Sequence, residues 1–116
     1  MVSDIIQLIE KDPVNPPKIW EVGKQIPGSD KVVHFMLQQN MLVELPDNII
    51  IQKKRYHEIE REIVNFLEKK GEISIQDMHS LFGFSRKYVI PLLSYLDIKG
   101  ITRREGNMRI LAKKPR

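Results

Sequence analysis

Two short stretches carry the residue types that can do chemistry: Ser85-Arg86-Lys87-Tyr88 and Thr102-Arg103-Arg104-Glu105-Gly106-Asn107-Met108-Arg109. The first opens an apolar helix running to Asp97, and the second has the make-up of a short β-hairpin. A helix start exposes amide donors that attract phosphate. Here two cations and an aromatic ring stand beside those donors. Arginine's planar fork suits bidentate contact with phosphate or a guanine edge, and it stacks on an unpaired base. The chemistry is recognition of a polyanion, nucleic acid above all.

Other chemistries find no support in the residues. His34, His57 and His79 fall in three separate predicted helices without metal-ligand spacing, and the chain has no cysteine. No phosphate-cradling glycine loop, nucleophile elbow or metalloprotease helix is present. The reading is therefore of a protein with no catalytic residue, no metal and no cofactor. No apolar run approaches the roughly 18 residues of a membrane span, and no signal-peptide pattern opens the chain. With the lack of cysteine this fits a cytoplasmic, reducing location and no membrane partner.

The elements that must position the two stretches come in two sets. In the first half, a helix over about Ser3 to Lys11 is broken by Asp12-Pro13-Val14-Asn15-Pro16-Pro17. A second helix carries Ile19, Trp20, Val22 and Ile26, with Trp20 assigned to the core. Ser29 caps a third, with Val32, Val33, Phe35, Met36 and Leu37, and Leu42–Leu45 and Ile49–Ile51 pair as strands around Pro46-Asp47-Asn48. The second half repeats the order. A helix over about Lys54 to Lys70 has Tyr56, Ile59, Ile63, Phe66 and Leu67 at helical spacing, and Gly71 stops it. Ile73 forms a minimal strand, Ser74 caps a helix with Met78, Leu81 and Phe82, and Ser85 caps the next, with Val89, Leu92, Leu93 and Leu96 as its buried stripe. Strands over Ile101–Arg104 and Met108–Ala112 then enclose Glu105-Gly106-Asn107.

Three helices and a two-stranded wing, twice over, make a tandem winged helix, mainly α with small β-wings (α+β). The modules span 1–52 and 53–116, with almost no linker, which predicts a rigid pair. Charge separates them. Residues 1–52 hold 4 Lys/Arg and 7 Asp/Glu (−3), and residues 53–116 hold 15 and 8 (+7), giving the net +4. Where the second module has Arg86 and Lys87 and three wing arginines, the first has Asp30 and Lys31, then Glu44 and Asp47. The second module is the expected reader and the first a spacer. Lys53-Lys54-Arg55 reads as a solvated helix start, and Lys113, Lys114 and Arg116 as a basic tail.

Two local questions stay open at this level. Thr102 and Arg104 fall on one strand face and Arg103 on the other, so Arg103 and Arg104 do not meet a ligand equally. Which one faces it is undetermined, although Arg104 and Arg109 can be cross-strand neighbours. Pro91 removes the bond to the Lys87 carbonyl. It either kinks the first turn, aiming Arg86 and Lys87, or marks a loose start.

The string Ser85-Arg86-Lys87-Tyr88-Val89-Ile90-Pro91-Leu92-Leu93, Tyr95-Leu96-Asp97, then Thr102-Arg103-Arg104 with Gly106 and Arg109, resembles the C-terminal end of the bacterial selenocysteine-specific elongation factor. In that family a GTPase part precedes four winged-helix modules, and this chain resembles the last two. The resemblance implies binding to the selenoprotein-mRNA hairpin (SECIS) that recodes a UGA codon. It implies Ser85, Arg86, Lys87, Tyr88, Arg103, Arg104 and Arg109 as RNA contacts; a monomer is the default expectation. It also implies that the ribosome and selenocysteyl-tRNA are met only through a full-length factor, and that this piece lacks the GTPase. Glu105 is a departure, since an acid in the wing turn suits RNA poorly. The alternative is a DNA-binding transcription regulator, against which Pro91 and the apolar run after Tyr88 leave only one helical turn for base contacts. A protein-interaction module needs a large exposed apolar patch, and no clear one is visible in the sequence.

Overall fold

The structure is a computed structural model that describes residues 1–112; the predicted basic tail at Lys113, Lys114 and Arg116 lies outside them. The chain divides into two compact units, Met1–His57 and Glu58–Arg116.

In the first unit, α1 (Val2–Glu10), α2 (Ile19–Gln25) and α3 (Asp30–Gln38) precede an antiparallel hairpin, β1 (Leu42–Leu45) and β2 (Ile49–Gln52). The register runs from Leu42 opposite Gln52 to Leu45 opposite Ile49. The connecting Pro46–Asn48 is a single 3-10 turn in which Asp47 and Asn48 take positive φ, which Asp and Asn tolerate better than most side chains. Ile5, Ile9, Val22, Val33, Met36, Leu42 and Ile50 form the core.

Two expectations for this unit are corrected. Trp20 is 61% exposed, and Phe35 51%. Each lies two residues, about 200° of helical turn, from a fully buried neighbour, Val22 or Val33. A helix that buries those valines must turn the aromatic rings outward. Ser29 stands at the start of α3 but makes no side-chain capping bond. Its hydroxyl is buried without a partner.

In the second unit, α4 (Lys53–Lys70), which starts in the first, continues to a stop at Gly71. Gly71 has φ +87° and donates its N–H to the Leu67 carbonyl, the left-handed stop that glycine allows. α5 (Ile75–Phe82) buries Met78 and Phe82, and α6 (Arg86–Ile98) buries Val89, Pro91, Leu92, Leu93 and Leu96. Helix α6 continues through Pro91 without interruption. The wing pairs β3 (Thr102–Glu105) with β4 (Met108–Leu111). Glu105 faces Met108 in register, so it ends a strand. The turn is only Gly106-Asn107, with Gly106 at φ +61°. A third strand exists in miniature, because Ile73 and Arg109 exchange both backbone hydrogen bonds at 2.9 Å.

The serines at the helix starts differ. The Ser74 Oγ accepts from the Asp77 N–H at 3.0 Å, while the Asp77 carboxylate accepts from the Ser74 N–H at 2.9 Å, a reciprocal cap. Ser85 is at the N-cap position of α6 but makes no side-chain capping bond. Ser74→Ala is therefore expected to cost about 1 kcal/mol and Ser85→Ala only a few tenths. Urea unfolding of the two variants, with matched m-values, checks this. Among the described residues no helix is long and apolar enough to cross a membrane.

Candidate nucleic-acid interface

Arg86 and Lys87 are the first two residues of α6, both exposed. The Lys87 ammonium lies 5.7 Å from the centre of the Tyr88 ring, and Tyr88 is half-buried. Phe82 and Phe84 stack across the α5–α6 turn with centroids 5.4 Å apart. His79 Nδ1 stands 3.0 Å from the Phe84 carbonyl in the same turn. These contacts fix where α6 begins, and so where its cations stand.

The register of the wing places the two arginines on opposite strand faces. Arg104 lies opposite Arg109, and Arg103 opposite Ile110. Thr102, on the same strand face as Arg104, is buried against α6 and donates its hydroxyl proton to Asp97 at 2.6 Å. Arg104 thus stands on the α6-facing side, where its Nε donates to the Gly106 carbonyl at 2.9 Å. Arg103 is on the other side, its side chain 53% exposed and 3.6 Å from Glu105. An exposed pair at that distance holds little energy.

Arg86 and Arg104 line one cleft of about 430 Å³. Ile90, Leu93 and Met108 supply its apolar surface, and the start of α5 contributes Ser74, Ile75 and Gln76. Asn107 and Arg109 complete the wing side. A small recess lined by both apolar and polar or charged side chains suits a flat ring held by its edges. Ser85, Lys87, Tyr88 and Arg103 do not line it.

Arg109 has a different setting from the other cations. Its Nε donates to both carboxylate oxygens of Asp97, at 3.2 and 3.0 Å, and a terminal nitrogen lies 3.0 Å from Oδ2. Its side chain is 11% exposed. The guanidinium is thereby committed within the unit.

Sequence reasoning missed the α5 contribution, Ile90, Leu93, Asn107 and Met108 as cleft residues, and the part played by Asp97. One signal was available. A strand at Ile73 that joins the wing necessarily brings Ser74 and the start of α5 beside β4.

The matched elements of the first unit have another character. Lys18 Nζ is 3.0 Å from the Asp47 carboxylate, and the Asn48 amide donates to Glu44 at 3.0 Å. The acids of that wing are bonded locally. Among the described residues, no group of three or more His, Cys, Asp or Glu is placed to hold a metal ion.

Residues 65–111 match the family model described as elongation factor SelB, winged helix. The matched stretch lies within the second unit. Across 114 residues it is 29% identical to the selenocysteine-specific elongation factor of Desulfomicrobium baculatum, covering 98% of this chain and 18% of that protein. A 54-residue stretch is 37% identical to the corresponding factor of Haemophilus influenzae, covering 47% of this chain and 9% of that one. The chain thus spans less than a fifth of these SelB relatives. In fold it is similar to the mRNA-binding domain of SelB from E. coli, solved in complex with SECIS RNA. That likeness has a TM-score of 0.76 at 22% identity and covers 96% of each chain. It is also similar to a bacterial selenocysteine-specific elongation factor, EF-Sec, with a TM-score of 0.70 at 24% identity, covering 95% of this chain and 18% of that one. The tandem winged-helix architecture, mainly α with small wings, is common to them.

Proposed function

We propose that this chain binds a SECIS hairpin of selenoprotein mRNA and tethers a selenocysteine-specific elongation factor to it, with residues 53–116 as the reader and residues 1–52 as a spacer. The observation that carries the reading is the convergence of Arg86 and Arg104 on one partly apolar cleft, within the stretch that matches the SelB winged-helix model. In A-form RNA the major groove is too deep and narrow for side chains to read, so a protein that recognises sequence does so at unpaired loop bases. An extruded base stacks on Ile90 and Met108, with Arg86 and Arg104 at its edge or on its phosphates. Lys87 and Arg103, outside the cleft, meet neighbouring phosphates, with Ser85 and Tyr88 beside the helix start. Arg109 acts through the wing. The role is recognition, with no bond made or broken by this unit.

The test is fluorescence anisotropy with a labelled SECIS hairpin, a scrambled-loop hairpin and a matched DNA duplex, each over a salt series. The expected result is selective binding to the SECIS hairpin that persists as salt rises. Equal affinity for all three, falling with one steep salt slope, would mean a generic basic face and overturn the reading.

A further inference from the structure

Asp97 is out of place beside a surface meant for phosphate, because a free carboxylate there repels the ligand. Its surroundings account for it. One oxygen accepts from the Thr102 hydroxyl at 2.6 Å, and both accept from the Arg109 guanidinium. Thr102 belongs to β3 and Arg109 to β4, so one side chain at the end of α6 bonds to both strands of the wing. Hydrogen bonds between ionised partners are short and directional. A two-stranded ribbon of four-residue strands holds little stability alone, and its orientation depends on such ties. Arg104 follows Thr102 by two residues on β3, on the same face, and lies directly opposite Arg109. Whatever fixes Thr102 and Arg109 against α6 also fixes where Arg104 stands relative to Arg86.

We propose that Asp97 is a positioning residue for the RNA cleft. It clamps both wing strands to α6, carries Arg104 to the cleft rim, and withdraws Arg109 from direct contact with RNA. This rests on the RNA-binding reading above. It assigns Arg109 an indirect part where the family resemblance implies a direct contact.

Asp97→Asn keeps the shape, removes the charge and weakens the clamp. In the whole chain it is expected to lower affinity for the SECIS hairpin about tenfold, within the range of coupled neighbours. Affinity for the scrambled-loop hairpin stays level or rises slightly, because the freed Arg109 adds a cation. Discrimination between the hairpins falls accordingly, which a general loss of folded protein does not produce. The double variant Asp97→Asn/Arg104→Ala binds no more weakly than Arg104→Ala alone. Without RNA, amide exchange at Arg103, Arg109 and Ile110 quickens while that of the α4 core does not. Thr102→Val, a milder cut of the same clamp, moves discrimination and exchange in the same direction.

Tighter SECIS binding by Asp97→Asn would overturn the proposal, since Arg109 would then be a ligand that Asp97 restrains. Additive losses with Arg104→Ala, or unchanged wing exchange, would overturn it too. A wild-type chain that does not distinguish the two hairpins counts against the RNA reading instead, and the exchange experiment still judges the clamp.

Discussion

Arg86→Ala and Arg104→Ala are each expected to weaken SECIS-hairpin binding by about 1–3 kcal/mol, and Lys31→Ala to leave it almost unchanged. The two arginines come from different elements, the first turn of α6 and strand β3, yet line one cleft. Both are exposed, so removing either leaves the fold intact and the loss reports on binding. Lys31 occupies the matching position at the start of α3, beside Asp30, in a unit whose wing acids are bonded locally. Anisotropy titrations at two salt concentrations separate a lost base contact from a lost phosphate contact. A phosphate contact lowers the salt slope by about one counterion, whereas a base contact changes affinity at constant slope. Equal losses from Lys31→Ala would refute the division of labour between the units.

The largest effect on stability is expected from Leu96→Ala. Leu96 is fully buried, and its carbonyl accepts the Ile101 N–H at 3.0 Å where α6 hands over to the wing. Truncating a buried leucine costs about 2–5 kcal/mol through lost transfer energy and the cavity left behind. A unit of this size holds a total stability of only about 3–9 kcal/mol. The second unit is therefore expected to lose about half of its stability, so that it unfolds at a much lower urea concentration and SECIS binding is lost there with it. Leu81→Ala provides the control. Leu81 is 40% exposed, and its truncation should cost less than about 1 kcal/mol. Circular dichroism in urea, with saturating hairpin in a parallel series, distinguishes unfolding from a binding defect, because ligand restores folded protein by mass action.

The helical stripes were legible because their apolar period is strong. Ile59, Ile63 and Leu67 on α4, and Val89, Leu92, Leu93 and Leu96 on α6, are all buried as their spacing requires. The wing was legible from its turn residues, although its loop is one residue shorter than the composition suggests. Glu105 pairs with Met108, and Gly106 alone takes the positive φ a tight two-residue hairpin demands. Aromatic type misled at Trp20, and the exposed Phe35 follows the same helical phase. Hydrophobicity says that a ring favours burial, but helical phase assigns the buried place to Val22 and Val33. Serine likewise marks a helix start without specifying its bond. Ser74 has the acid at the third position that closes a reciprocal cap, whereas Ser85 is followed by Arg86, Lys87 and Tyr88.

The cleft was only half legible. Its cations stood out because they cluster in sequence, but its apolar lining is shared among three elements that only the tertiary structure brings together. Arg109 shows the limit most directly. By residue type it equals Arg104, and only the carboxylate twelve residues earlier separates their surroundings. Strand alternation did narrow the choice between Arg103 and Arg104 to two faces. Knowing which face meets α6 required Thr102 to be placed against Asp97.

The exposed indole of Trp20 has a practical consequence. It is the chain's only tryptophan, and it belongs to the Met1–His57 unit. Intrinsic fluorescence excited at the red edge therefore watches the first unit and not the second. If recognition is confined to the second unit, saturating the chain with RNA should leave the accessibility of that ring to a neutral quencher unaltered. The optical signal that is easiest to record would then be silent by construction, and its silence would itself be informative.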